Sequence, residues 1–467
     1  MVQPFDYDLL CIGSGPAGQR AAVQAAKLGK RVAVVEKTRI LGGICLECGT
    51  IPSKTFREAV VFFSGIGGRF DRRPGGLRPE NRPTAEHLLA RVGDVVAREA
   101  AVVENQISRN DVTILRGVAS FTDPHTVAVT VETDVKSVTA ANILIAVGSS
   151  AIPPAGVPLD GEVILTSDSI MTLARVPKTL AVIGGGVIGM EYASIFASIG
   201  VEVTVIEMRE RPLEFLDREI VEELIHQMRN RNVTFRLGEA VKGLGILEGP
   251  HRRAEILLES GKRIVSDMAL FSIGRQGATD RLNLAAAGLA ADDRGRLKVD
   301  EHFRTSVPHI FAAGDVIGYP SLAATSSEQG RLAARYAFGV QAEPMPTHFP
   351  IGIYAVPEIS TVGATEEELT RDRVPYETGV ARYREIARGQ ILGDDTGLLK
   401  MLFHRETRKL LGVHIIGTLA TELVHIGQAV YGLGGGLDYF LDTVFNYPTL
   451  AECYKVAALD ASNKLAT

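Results

Sequence analysis

A nucleotide-binding pattern written twice constrains this chain more than any other feature. Asp6–Ile12 is an apolar run of strand length, followed by Gly13-Ser14-Gly15-Pro16-Ala17-Gly18. A helical pattern then covers Gln19–Leu28, and a second strand, Arg31–Val35, ends at Glu36. The arrangement returns as strand Thr179–Ile183, turn Gly184-Gly185-Gly186-Val187-Ile188-Gly189, helix Met190–Ala197 and strand Val201–Ile206, ending at Glu207. From Gly13 to Glu36 and from Gly184 to Glu207 the spacing is 23 positions in each. The glycines serve a tight turn, close approach of backbone to a pyrophosphate, and helix–strand packing. The helix N-terminus offers N–H groups to phosphate, and the acid accepts from a ribose diol. A lone glycine turn is weak evidence, but two copies in full context with equal spacing are specific. They predict an α/β chain in which Gly13, Gly15, Gly18 and Glu36 hold one dinucleotide, and Gly184, Gly186, Gly189 and Glu207 another. A nicotinamide cofactor alone needs one site. A resident flavin with a visiting nicotinamide nucleotide accounts for both.

The rest of the composition narrows the class. A chain of 467 residues suggests two to four domains. Its 48 glycines cluster in turns rather than in low-complexity tracts, and 46% apolar and 22% charged residues describe an ordinary globular protein. A net charge of −5 with interspersed signs favours neither nucleic acid nor an anionic membrane. The basic stretch Arg69–Arg78 reads as a solvated surface loop. Four cysteines make no disulfide framework and fit a reducing compartment. Leu180–Val201 is apolar enough to consider as a membrane span, but Glu191 and its glycines parse better as strand, turn and helix. No signal peptide is evident, so a cytoplasmic location is expected.

The segment Gly42-Gly43-Ile44-Cys45-Leu46-Glu47-Cys48-Gly49-Thr50-Ile51-Pro52-Ser53-Lys54 resembles the active-site segment of the flavin disulfide reductases. In that family two cysteines five positions apart form a redox disulfide against the flavin. Here Cys45 holds the first position and Thr50 the second. Other segments are similar to the same family. Ile143–Gly148 and Ala269–Arg275 resemble the strands linking the flavin and nicotinamide domains, and His309–Asp315 resembles a second flavin motif. Leu322–Gly339 resembles the helix facing the flavin pyrimidine, and the antiparallel strands after Thr347, including Leu398–His404 and Lys409–Ile416, resemble a C-terminal dimerisation domain. The resemblance implies two Rossmann-like domains for FAD and NAD(P) plus an α+β interface domain. The implied division is 1–150 and 276–346 for FAD, 151–275 for NAD(P) and 347–467 for the interface, in a homodimer or higher assembly.

Within that family the chain is most similar to the soluble pyridine nucleotide transhydrogenases, through its GT-IPSK, GDVIGYPSL, IGIYAVPEIS and FNYPTLAE segments. Disulfide reductases end in His-Pro-x-x-x-Glu, whose histidine protonates a leaving thiolate. Here Tyr447, Pro448 and Glu452 stand at those places. A tyrosine with a pKa near ~10 is a poor shuttle at pH 7 beside a histidine near ~6.5. Loss of the cysteine together with its acid/base partner implies no thiol step. The resemblance then implies hydride exchange between NADPH and NAD+ by ping-pong through FAD. It also implies a Lys54–Glu191 ion pair beside the flavin, a cradle from Gly42, Gly43 and Cys45, a Thr50 hydroxyl near the ring, and Asp315 on the ribityl chain. Glu207 suits the 2′-hydroxyl of NAD(H), while Arg209 and Arg211 are placed to reach the 2′-phosphate of NADP(H) or are plain surface charges. Val187 leaves room for a nicotinamide ring, and Arg275 is a further nucleotide contact. Cys45 and Cys48 keep one alternative open, a relocated redox pair at helical i, i+3 spacing, where the Cβ atoms lie roughly 5–6 Å apart. Cys11 and Cys453 read as core residues. His404, His414 and His425 lack metal-ligand spacing.

Overall fold

The computed structural model describes residues 4–65, 82–154, 156–157 and 159–466, so the basic stretch Arg69–Arg78 lies outside the described residues. Two parallel sheets carry the duplicated pattern. In the first, Thr113–Arg116, Val32–Glu36, Tyr7–Ile12, Asp134–Ile145 and Ile310–Ala312 lie side by side and parallel. In the second, the order is Val233–Leu237, Glu202–Glu207, Thr179–Ile183, Met268–Phe271 and Ile164–Thr166. The central strands of both sheets are buried on two faces, which explains why Tyr7–Ile12, Val32–Glu36, Thr179–Ile183 and Met268–Phe271 are nearly continuous apolar runs, whereas the edge strands Thr113–Arg116 and Val233–Leu237 are partly exposed. Leu9–Ile12 and Val32–Val35 are all at most 3% exposed. Cys11 belongs to this core, as expected.

Each turn leads into a helix earlier than the sequence pattern suggests: Pro16–Lys27 instead of Gln19–Leu28, and Val187–Ser198 instead of Met190–Ala197. Pro16 at the first helical position explains the first difference, since its fixed φ suits a helix start and its missing N–H is not needed there. The apolar stretch from Leu180 divides into strand, turn and helix, and among the described residues no helix is long and apolar enough to cross a membrane. The two segments expected to link the units are strands in part, Ile143–Gly148 as far as Ile145 and Ala269–Arg275 as far as Phe271. Asp134–Ile145 runs antiparallel with Thr126–Val131 before joining the parallel sheet, and Ala269–Arg275 divides into Met268–Phe271 and the short strand Arg275–Gly277, which pairs with Ser149–Ala151.

The C-terminal region is an antiparallel sheet in the order Ile351–Ile353, Ile359–Gly363, Leu410–Ile416, Leu398–His404 and Tyr376–Arg382, covered by helices Ala420–Gly432 and Glu452–Leu465. Cys453 is buried in that core. The sheet is joined to the second nucleotide unit through Lys400, only 1% exposed, whose Nζ is ion-paired with Asp217 at 3.0 Å, Glu219 at 3.2 Å and Glu366. These three carboxylates converge as metal ligands do, but the ammonium group occupies their centre. His414, also buried, is held by Thr361 Oγ1 at 2.6 Å and the Ala364 carbonyl at 2.9 Å, so it is a satisfied core histidine.

Candidate active site

The first glycine turn is built so that side chains do not fit. Gly13 has φ +105°, and a Cβ there would lie 2.3 Å from the Ala146 carbonyl oxygen; a Cβ on Gly18 would lie 1.9 Å from that of Gly13. Around Gly15 the space is open. The Pro16–Lys27 helix begins at Gly15 without a side-chain cap, so its first N–H groups remain available to a phosphate. The second turn repeats this geometry: Gly184 has φ +107°, and a Cβ on Gly189 would lie 2.0 Å from the Gly184 carbonyl.

The active-site segment folds against the first turn. Gly42 N–H donates to Ser14 Oγ at 2.9 Å, and a Cβ on Gly43 would lie 3.0 Å from Gly15 Cα. The chain then makes one short helix, Ile44–Glu47, and breaks before a second, Thr50–Phe63. The break corrects the i, i+3 geometry assumed for Cys45 and Cys48: Cys48 lies past the helix end at φ −149°, with both its N–H and that of Gly49 bonded to the Ile44 carbonyl. Both cysteines are free thiols here and engage different groups. Burial pushes the Cys45 thiol pKa up, opposed by a hydrogen bond with Thr50. Burial and the neighbouring Asp168 charge push Cys48 up to about 12, which makes it a weak nucleophile at neutral pH.

Lys54 sits one turn into the Thr50–Phe63 helix. It meets Glu191 from the second unit, with Nζ 2.7 Å from Oε2 and 2.9 Å from Oε1. Glu191 is the sole acid of a helix buried from Gly189 to Ser198, and it is itself 5% exposed. A carboxylate in that position requires partners. It also accepts from the Tyr354 N–H at 2.8 Å, and the Tyr354 ring lies 5.0 Å from Lys54 Nζ. Arg57, one turn beyond Lys54, fixes the helix to the C-terminal region through the Ala355 carbonyl at 3.0 Å and Glu358 at 3.1 Å.

Asp315 accepts from Ser149 Oγ at 2.9 Å, and the same oxygen accepts from Arg275 Nε at 2.9 Å. Arg275 continues to Asp168 at 2.7 Å, whose other oxygen accepts from the Ala151 N–H at 3.2 Å. Burial raises the Asp168 pKa, but its bonds to Arg275 outweigh this and hold it below the usual carboxylate range. A cavity of about 180 Å³ opens here, lined by Ser149, Arg275, Arg296, Asp315, Gly318 and Tyr319. Arg275 therefore stands with Asp315, linked to it through Ser149. Ser149, Asp168 and Tyr354 carry no local sequence signal, since the charged partners that place them at the site, Asp315, Arg275 and Glu191, each lie more than a hundred positions away. Tyr447 is 67% exposed, and Glu452 opens the last helix with a buried Oε2 that has no hydrogen-bond partner. Among the described residues, neither bonds to Lys54, Glu191 or Cys45.

The glycine turn that excludes side chains, its uncapped helix, and the Asp315 cavity fit an adenine-dinucleotide flavin. The buried acids Glu36 and Glu207 fit two ribose diols.

Comparison with known proteins gives the same picture. The pyridine nucleotide-disulphide oxidoreductase profile matches residues 7–330, and that family's dimerisation-domain profile matches residues 349–458. A soluble pyridine nucleotide transhydrogenase of Mycobacterium tuberculosis is 51% identical over 462 residues, covering 98% of each chain. Another, from Photobacterium profundum, is 42% identical over 470 residues, covering 99% of each. Among solved structures, the HOCl-induced flavoprotein disulfide reductase RclA from Escherichia coli is 25% identical with a TM-score of 0.86, covering 97% of this chain and 99% of its own. LpdA from Mycobacterium tuberculosis is also 25% identical, with a TM-score of 0.87 and the same coverage. The chain is thus an oxidoreductase of the pyridine nucleotide-disulphide family, and it belongs to the soluble pyridine nucleotide transhydrogenases within it.

Proposed function

We propose that the chain is an FAD-dependent Si-specific NAD(P)+ transhydrogenase that moves hydride from NADPH to NAD+ without a redox disulfide. The observation carrying this reading is the pairing of Lys54 with Glu191 beside a segment whose second cysteine position is Thr50. Bound FAD supplies the site that accepts a hydride from one nucleotide and returns it to the next. Gly13, Gly15, Gly18, Gly42 and Gly43 let the backbone approach that cofactor, Glu36 takes its ribose, and Asp315 with Ser149 and Arg275 takes its ribityl and pyrophosphate region. Lys54 keeps a positive charge near the reacting ring, and Glu191 keeps that charge in place. Thr50, bonded to Cys45, fills the position where a sulfur would otherwise present itself. Gly184, Gly186 and Gly189 open the second site to NADP(H) and NAD(H) in turn. No protein nucleophile or proton shuttle is needed, consistent with Tyr447 in place of histidine. Tyr447 and Glu452 stand on the C-terminal unit, where exposed Tyr439, Val444 and Tyr447 offer an apolar surface for the second copy of a homodimer. We divide the chain at 150, 275 and 346 on this reading and place it with the cytoplasmic nucleotide pools.

Steady-state rates with NADPH and an NAD+ analogue are expected to give the parallel double-reciprocal lines of ping-pong exchange; intersecting lines would rule it out. The Cys45→Ser/Cys48→Ser variant is expected to keep most of that rate and to show no thiolate-to-flavin charge-transfer band on NADPH titration. A dead double variant, with such a band in the wild type, would instead support a disulfide reductase. Gly18→Ala is expected to purify colourless, because its Cβ would collide with the Gly13 carbonyl. Visible absorbance after gel filtration checks this, and a yellow, fully loaded variant contradicts the placement of the flavin.

A further inference from the structure

Lys54 and Glu191 are enclosed by a ring of contacts that begins and ends on the Lys54 helix. Its central member is the half-buried Tyr354, which touches both ions. The Tyr354 N–H donates to Glu191 Oε1 at 2.8 Å, and the Tyr354 ring lies 5.0 Å from Lys54 Nζ. The backbone beside it is pinned independently, since the Val356 N–H donates to Ser194 Oγ at 3.0 Å, three residues along the helix from Glu191. Burial raises the Tyr354 phenol pKa, so the hydroxyl keeps its proton in its hydrogen bond with Thr421. Thr421 Oγ1 uses its own proton on Glu358 Oε2, at 2.8 Å, which leaves the Tyr354 hydroxyl as the donor between them. The other Glu358 oxygen meets Arg57 Nη2 at 3.1 Å, and Arg57 Nε donates to the carbonyl of Ala355, the next residue after Tyr354. Arg57 and Glu358 are both buried, so each needs the other. Packing leaves little slack here. A Cβ on Gly352 would lie 3.2 Å from Thr421 Cγ2 and 3.5 Å from Tyr354 Cε2.

We propose that Tyr354 is a positioning residue for hydride transfer, holding the Lys54 ammonium in place from the C-terminal unit through a ring that its hydroxyl anchors. This rests on the reading of Lys54 as the charge beside the reacting flavin. A lysine ammonium is a point charge on a flexible stem, so a carboxylate alone restrains its direction poorly. An aromatic face on a second side attracts the cation and narrows the rotamers open to the stem. Such restraint matters because a cation already in place stabilises developing negative charge without reorganisation. The hydroxyl fixes the ring in turn, since Thr421, Glu358 and Arg57 tie it to the helix that carries Lys54. Side-chain changes at Tyr354 leave its N–H bond to Glu191 available, so the ring can be tested apart from the carboxylate.

The test follows the equilibrium of the purified flavoprotein with a reference dye of known potential, by visible absorbance, alongside stopped-flow bleaching by NADPH. Tyr354→Leu is expected to shift that equilibrium about 3–30-fold toward oxidised flavin, because a loosened cation offsets less of the negative charge that reduction adds. It is expected to lower the maximal bleaching rate about tenfold and to change half-saturating NADPH by no more than about twofold. Tyr354→Phe, which keeps the ring, is expected to hold both readouts within about threefold of the wild type. In a Lys54→Met background Tyr354→Leu is expected to add nothing, because its effect runs through the ammonium. Tyr354→Met fills more of the same space and answers the same question where the leucine variant does not retain flavin. An unchanged equilibrium and rate in both ring-deleted variants, or a full further shift on top of Lys54→Met, would overturn the role of Tyr354 alone. A Lys54→Met protein with the wild-type equilibrium and bleaching rate would overturn the reading of the Lys54 charge, and this proposal with it.

Discussion

Lys54→Met is expected to slow hydride transfer from NADPH by about 10²–10³-fold while leaving the flavin bound. The magnitude follows from the location of the charge. The Lys54 side chain is a quarter exposed, and its Nζ is clamped by both oxygens of a buried Glu191 and lies over the Tyr354 ring. A fixed cation in so dry a place acts on developing negative charge with little screening and no reorganisation. Methionine keeps the length of the side chain and removes the charge. Among the described residues Glu191 then keeps the Tyr354 N–H as its donor, so a moderate loss of stability accompanies the loss of rate. Stopped-flow bleaching of the flavin by NADPH separates the two effects, because it reads the transfer step in protein that is already folded and yellow. Glu191→Gln, which keeps Lys54 charged but less firmly held, is expected to lose less. A Lys54→Met protein that bleaches at the wild-type rate would remove this pair from the mechanism.

Lys400→Met is expected to cost about 3–5 kcal/mol of stability, a large fraction of what a folded protein has. Its Nζ is ion-paired with Asp217, Glu219 and Glu366 together, and both Lys400 and Asp217 are 1% exposed. Burial works against the Lys400 charge, but Asp217 and Glu366 raise its pKa. Burial also works against the Asp217 carboxylate, but the charges of His414 and Lys400 lower its pKa. The pH signs follow. A depressed carboxyl pKa gives stability that is present above the unfolded value near ~3.9 and lost as pH falls through the folded value. A raised lysine pKa gives stability that is complete below ~10.4 and lost as pH rises through the folded value. The cluster therefore supports the wild type across the neutral range. In Lys400→Met the sign reverses at the acid end, because unpaired buried carboxyls gain from protonation, so thermal midpoints should rise as pH is lowered from 7 toward about 5. Midpoints are compared at one protomer concentration, since a self-associating chain couples stability to assembly. A variant as stable as the wild type at pH 7, or one that loses stability on acidification, would mean that the cluster does not hold the C-terminal sheet to the second nucleotide unit.

These two predictions rest on residues that differ in how visible they were beforehand. Lys54 and Glu191 stand out because each sits inside a motif, and the uncharged, largely apolar helix around Glu191 marks that acid as one that needs a partner. Lys400 gives no warning. It lies in a strand whose neighbours read as core, and nothing in the spacing of Asp217, Glu219 and Glu366 distinguishes them from solvated surface acids. The Cys45–Cys48 geometry departs from helical spacing for a different reason. Helical spacing presumes a continuous helix, whereas the chain breaks at Cys48 and sends the two thiols to different neighbours, Thr50 and Asp168.

The two nucleotide units, their glycine turns, their terminal acids and the antiparallel strands of the C-terminal sheet are all legible in the order of residues alone. All of these are written in short-range terms: the periodicity of apolar residues, the backbone freedom that only glycine allows, and residue spacings of one unit's length. The tertiary structure alone decided that Arg209 pairs with Glu207 while Arg211 turns away, that Arg275 joins Asp315 through Ser149, and that Lys400 closes a ring of acids. A charged side chain looks the same in a sequence whether it ends in water or in a dry cluster. The fold makes that choice, by bringing together partners that the chain keeps far apart.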